Sequence, residues 1–86
     1  MRFEFDPKKS HANRDKHGID FLTAKELWND PDAINIDARS DDEPRFALIA
    51  KIQNKHWVAF YTIRADNIRL ISVRRARKKE KEFYES

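Results

Sequence analysis

The 86 residues carry 18 lysines and arginines against 15 carboxylates, for a net charge of +3, with 40% hydrophobic and 12% aromatic residues. This length supports one small core, a single domain over residues 1–86, and a chain so aromatic with so low a net charge is expected to fold. One glycine, three prolines and no cysteine exclude collagen-like repeats, disulfide frameworks, thiolate metal sites and thiol nucleophiles, and no apolar run approaches the roughly 20 residues of a membrane helix.

Phe3-Glu4-Phe5 alternates like a short strand. Asp6-Pro7 then offers an N-cap carboxylate followed by proline at the first helical position, where a missing N–H costs nothing. The helix predicted from there ends at His17-Gly18, glycine suiting a left-handed cap, and carries Lys9, Asn13 and Lys16 on one polar face. Asp20 reads as a second N-cap. Phe21, Ala24, Leu27 and Trp28 have helical spacing, and Asp30-Pro31 closes that helix.

Beyond Pro31 the period changes to two. Ile34 and Ile36 predict a half-buried strand, and Arg39 to Pro44 a polar loop. Residues 45–52 place Phe46, Leu48, Ala50 and Ile52 on one face before a turn at 53–55. Residues 56–64 are apolar on both faces, with Trp57, Ala59, Tyr61 and Ile63 opposite Val58, Phe60, Thr62 and Arg64, which predicts a central strand. After a turn at 65–67, residues 68–75 form a last strand, and Ala76 to Glu85 has helix-forming composition. Short connections favour an antiparallel meander. The expected fold is α+β with two layers: two N-terminal helices packed on a mainly antiparallel sheet of four to five strands, with a short C-terminal helix.

Charge is unevenly spread. Residues 29–44 sum to −5 and residues 69–81 to +6; in the latter, Arg69, Arg74, Arg75, Arg77, Lys78, Lys79 and Lys81 face only Glu80. Such clustering is the footprint of a nucleic-acid surface, although a solvated basic helix has the same composition. The acidic segment lacks the spacing of a calcium loop and reads as a solvated loop. His11, His17 and His56 share no ligand spacing, so no metal is expected, and the export signal that would need an apolar stretch is not visible after Met1, which predicts a cytoplasmic protein.

With no Gly-x-Ser-x-Gly elbow and no glycine-rich phosphate loop, serine nucleophiles and nucleotide cofactors are not expected. What remains is a dense set of arginines near aromatic residues: Arg45, Arg64, Arg69, Arg74 and Arg75, with Trp57, Tyr61 and Tyr84. Guanidinium forks pair with phosphate, aromatic faces stack unpaired bases, and cleavage by a ribose 2′-OH needs only groups that orient phosphate, stabilise charge and move protons. Strict alternation along 68–75 sets Arg69, Ile71, Val73 and Arg75 against Ile68, Leu70, Ser72 and Arg74. Plain structural roles stand beside these: one of Arg74 and Arg75 pairing with Asp6 or Glu26, Lys16-His17 compensating a helix dipole, Tyr84 plugging a core, and Trp28 and Trp57 packing.

Phe5-Asp6-Pro7 with Lys9, Asn13, Lys16-His17-Gly18-Ile19, Phe21 and Ala24 resembles the N-terminal signature of the BrnT toxins of bacterial type II toxin–antitoxin systems. Arg45-Phe46, Tyr61-Thr62-x-Arg64, Ile68 to Ala76, Glu80 and Tyr84 resemble that family's closing strands and helix; Phe5 stands where many relatives have Trp. The resemblance implies a RelE-like fold and a metal-independent endoribonuclease, without cofactor, that inhibits translation. It further implies a BrnA-type antitoxin that neutralises it and carries it to operator DNA. On the matching positions, Arg64, Arg74, Arg75, Lys16, Glu80 and Tyr84 would form the catalytic set, with Arg45, Arg69, Arg77, Lys78, Lys79 and Lys81 binding RNA. The rival readings are a non-catalytic basic nucleic-acid-binding module and an inactivated toxin retained as a protein-interaction domain.

Overall fold

A computed structural model describes residues 2–38 and 43–86. It is an α+β domain in the order β1 (Phe3–Glu4), α1 (Pro7–His17), α2 (Phe21–Ala24), a 3-10 segment (Lys25–Asn29), β2 (Ile34–Ala38), β3 (Arg45–Ile52), β4 (Lys55–Arg64), β5 (Asn67–Arg75) and α3 (Lys78–Glu85). The five strands form one mixed sheet ordered β1-β5-β4-β3-β2. The four later strands are the expected antiparallel meander, and β1 adds in parallel to β5 through Phe3 opposite Ile68.

The local signals operate as the residue types dictate. The Asp6 carboxylate accepts from Lys8 N–H at 2.9 Å, Asp20 accepts from Thr23 N–H at 2.8 Å, and Gly18 adopts φ 82°, its N–H reaching Arg14 O at 2.9 Å. The β4–β5 loop holds both Ala65 (φ 48°) and Asp66 (φ 67°) in the left-handed region. That is the requirement of a two-residue type I′ hairpin, met here without glycine or asparagine.

The helical layer buries Phe21, Ala24 and Leu27 against Leu48, Ala50, Trp57, Ala59, Tyr61, Ile68, Leu70 and Val73. Helix α1 contributes almost no apolar surface: its buried side chains are Ser10 and Asn13. Asn13 therefore does not lie on a solvated polar face with Lys9 and Lys16. Its carboxamide accepts from Val73 N–H at 3.1 Å and donates to Val73 O at 2.9 Å and Ile19 O at 2.7 Å. It stands in for the backbone of a neighbouring strand where β1 has already ended, while Ser10 Oγ accepts from Phe21 N–H at 2.9 Å.

Four further expectations change. The second helix is α-helical for one turn only and then tightens to 3-10 geometry. The last helix begins at Lys78 rather than Ala76, because Ala76 N–H still bonds His56 O at 3.0 Å and its side chain is buried. That helix packs on the sheet face opposite α1 and α2, through a second cluster of Ala47, Ile49, Val58 and Ala76 with Tyr84, so the domain has a third, partial layer. Finally, β5 does not alternate strictly: Phe60 pairs with Ser72 and Tyr61 with Leu70, leaving Ile71 as a bulge. Of the expected loop from Arg39 to Pro44, residues 39–42 lie outside the described residues.

Candidate functional site

The bulge decides which arginines share a surface. Directly opposed residues in a sheet point to the same face, so the register puts Thr62 beside Arg69, Phe60 beside Ser72, and Val58 beside Arg74. On the other side of β4, Ala47 lies opposite Phe60 and Ile49 opposite Val58, and Arg45 continues the Ala47 and Ile49 row by alternation. Arg45, Arg64, Arg69 and Arg74 thus share one sheet face, the face that α3 covers only over Ala47, Ile49 and Val58. Beyond that cluster lie Phe60, which packs against its margin, and Ser72, both partly exposed, and the buried Thr62.

Carboxylates lie beside three of these arginines. Arg74 forks onto Glu80 with both contacts at 2.8 Å and lies over the Phe60 ring at 5.2 Å. The fork, together with the Arg77 N–H that donates to Glu80 at 2.7 Å, keeps the Glu80 carboxyl below its ordinary range and holds Arg74 firmly cationic. Glu80 is therefore a poor proton acceptor and a good anchor for Arg74. Arg69 sits 3.7 Å from Glu4 and Arg64 3.4 Å from Glu43, an exposed pair that constrains little. The buried Thr62 hydroxyl donates to Pro44 O at 2.7 Å and fixes the start of β3 beside them.

The expected site residues are not all close together. Arg64 is six residues along β4 from Val58, the residue opposite Arg74, so the two stand about 20 Å apart at roughly 3.4 Å per residue. Arg75 projects from the opposite face, its guanidinium 5.3 Å over the Trp57 ring, and Lys16 is exposed in the last turn of α1 in that same outer layer. Neither Arg74 nor Arg75 pairs with Asp6 or Glu26; the carboxylate that Arg74 meets is Glu80. Tyr84 packs edge-on to His56 at 5.1 Å and donates its hydroxyl to Asp30 at 2.7 Å. Burial, then the Asp30 contact, pushes that hydroxyl well above its ordinary value. Arg77, Lys78, Lys79 and Lys81 are exposed on and before α3.

Asp30, read from sequence as part of a solvated loop, is instead a hub. Burial acts to raise its pKa, but hydrogen bonds from Tyr84, Lys51 N–H and Asp32 N–H outweigh it and hold the carboxyl low. Phe60, Thr62 and Ser72 were not singled out as site residues; the signal for the first two was present, since they share parity with Arg64. Among the described residues no group of three histidines, cysteines or carboxylates is placed to hold a metal ion, and no helix is long and apolar enough to cross a membrane.

The model of the ribonuclease toxin BrnT, of type II toxin–antitoxin systems, matches residues 5–80. The chain belongs to that family. Membership brings an RNA target and an antitoxin partner, and the matched span takes in Arg45, Arg64, Arg69, Arg74 and Glu80. A search of curated proteins found no match.

Proposed function

We propose that this chain is a metal-independent endoribonuclease toxin that acts on RNA in the cytoplasm and is neutralised by a BrnA-type antitoxin, through which it reaches operator DNA. The observation that carries the reading is the re-phasing of β5, which gathers Arg45, Arg64, Arg69 and Arg74 on one half-open sheet face. Guanidinium groups spaced along that face, with Arg74 fixed by Glu80, can orient successive phosphates and stabilise the charge that develops when a 2′-OH attacks the scissile phosphorus. The Phe60 ring is partly exposed between them, which suits stacking by an unpaired base. Glu80 is a positioning residue in this scheme, holding Arg74 in its fork. Tyr84, with its hydroxyl committed to Asp30, supports α3 rather than supplying a proton. Arg75 and Lys16 flank the strand end from the other face and would meet RNA that wraps around it, as would Arg77, Lys78, Lys79 and Lys81 from α3.

The test is cleavage of a labelled RNA by the purified chain in EDTA, compared with folded Arg64→Ala, Arg69→Ala and Arg74→Ala variants and the exposed control Lys9→Ala. Loss of one charge-stabilising donor is expected to slow cleavage by about 10²–10³-fold. Wild-type rates in all three arginine variants would refute the site. Tight, salt-sensitive binding that leaves the RNA intact would favour a non-catalytic binding module or an inactivated toxin instead.

A further inference from the structure

The bulge at Ile71 places a serine between two arginines. Thr62 pairs with Arg69, Phe60 with Ser72 and Val58 with Arg74, so Ser72 stands on the arginine face midway between Arg69 and Arg74. Measured along β4, Thr62 and Val58 lie about 14 Å apart at roughly 3.4 Å per residue, which sets Ser72 about 7 Å from the backbone of each arginine. Strict alternation would keep Ser72 with Arg74 but send Arg69 to the opposite face. Re-aiming of a side chain is a common use of a bulge beside an active site.

Thr62, Tyr84 and Ser72 carry hydroxyls on or beside this face, and the first two are committed. Thr62 is buried and donates to Pro44 O at 2.7 Å, and Tyr84 donates to Asp30 at 2.7 Å. Ser72 is partly exposed, and its hydroxyl has no hydrogen-bond partner among the described residues. No side-chain nitrogen or oxygen among those residues is both buried and unpaired, so the Ser72 oxygen is open to solvent.

The flanking arginines supply charge more readily than donors. Arg74 spends Nη1 on Glu80 and on Arg75 O, and Nη2 on Glu80, so few of its N–H groups are left for a phosphate. Arg69 lies 3.7 Å from Glu4, too far for a hydrogen bond, and keeps its donors.

We propose that Ser72 is a phosphate-binding residue: its hydroxyl donates to a non-bridging oxygen of the scissile phosphodiester of a single-stranded RNA, which is held over it between the guanidinium groups of Arg69 and Arg74. The inference rests on the reading of the chain as a ribonuclease toxin. A serine hydroxyl is an ordinary donor to phosphate oxygens, and one aimed at an oxygen that gains charge during attack strengthens as the reaction proceeds. Ser72 is neither nucleophile nor proton carrier in this role.

The experiment compares the wild type with Ser72→Ala, Ser72→Thr and Arg74→Ala, circular dichroism checking each fold. Binding is measured over a range of salt with a 2′-fluoro single-stranded oligonucleotide, which offers phosphates but no attacking 2′-OH, and cleavage with RNA of the same sequence in EDTA. Ser72→Ala should bind and cleave about 10–100-fold less well, the loss of one hydrogen bond to a charged group. Its salt dependence should equal that of the wild type, because a neutral hydroxyl releases no counterion, whereas Arg74→Ala should lower the slope by about one. Ser72→Thr keeps the hydroxyl and should restore both activities. Wild-type binding and cleavage in Ser72→Ala overturns the proposal and leaves the nuclease standing. Equal losses in the alanine and threonine variants, or a lowered salt slope in Ser72→Ala, also overturns it, since altered packing or a displaced arginine would then be the cause. Binding lost in Ser72→Ala and restored by threonine, in a chain that cleaves nothing, would uphold the phosphate site and refute the nuclease. A wild type that neither binds nor cleaves refutes both.

Discussion

Replacing Asn13 by leucine removes one carboxamide and strands three backbone groups, Val73 N–H, Val73 O and Ile19 O. Each buried group left without a partner costs about 1–3 kcal/mol. For three such groups the total is about 3–9 kcal/mol. A domain of this length has roughly 4–13 kcal/mol of stability in all, so the variant should stand at the edge of unfolding. Urea titration is the assay, with the midpoint in a thermal scan expected to fall by at least about 12 °C. Amide exchange gives the local reading: the Val73 N–H, protected in the wild type, should exchange fast in Asn13→Leu. Because Arg74 and Arg75 directly follow Val73, RNA cleavage should fall as that strand end loosens. A destabilisation below about 1 kcal/mol, with the Val73 amide still protected, would refute the claim that Asn13 closes the edge of β5.

Other consequences are open to direct measurement. Exchanging Ala65-Asp66 for Asn-Gly should raise stability by about 1 kcal/mol, since both positions hold left-handed backbone that these residues adopt with little strain; an unchanged urea midpoint would count against the I′ assignment. Gly18→Ala should cost about 1 kcal/mol, wholly from its φ of 82°, because an added Cβ would meet nothing within 4 Å. Asp20, Asp30 and Glu80 have folded carboxyl pKa values below their ordinary 3.8, 3.8 and 4.5. Their contribution is therefore complete above about pH 5 and lost as pH falls through the lower folded values, and Asp30→Asn or Glu80→Gln should flatten that acid limb. Tyr84 has the opposite sign: its hydroxyl is raised above 10.0, so its stabilisation is complete below pH 10 and lost above it, and Tyr84→Phe should remove that alkaline loss.

Sequence periodicity exposed the meander, the caps and the two-faced β4 because each depends on residues within a few positions of one another. Asp6-Pro7, Gly18 and Asp20 bracket α1 and open α2 by chemistry that is local to the backbone. The family signature likewise reached the ribonuclease toxin family, and the basic stretch from Arg69 to Lys81 held two of the four arginines that share a face. Asn13 was less legible. A carboxamide on a polar helix looks like solvent-facing surface until a strand 60 residues away brings Val73 to it. Tyr84 and Asp30 were hidden for the same reason, being 54 residues apart and joined only when α3 folds back across the sheet.

The sequence by itself determined the antiparallel meander, the placement of the first helix and the wealth of arginine near the C-terminal strand, since these follow from short-range patterns of polarity and backbone preference. Only the tertiary structure decided which arginines share a face. Strict alternation sets Arg69 and Arg74 on opposite faces, yet one unpaired residue, Ile71, shifts the phase and unites them. A bulge exists only in the pairing of two strands, and whether β5 accommodates the extra residue depends on how Leu70 and Val73 both reach the core beneath the helices.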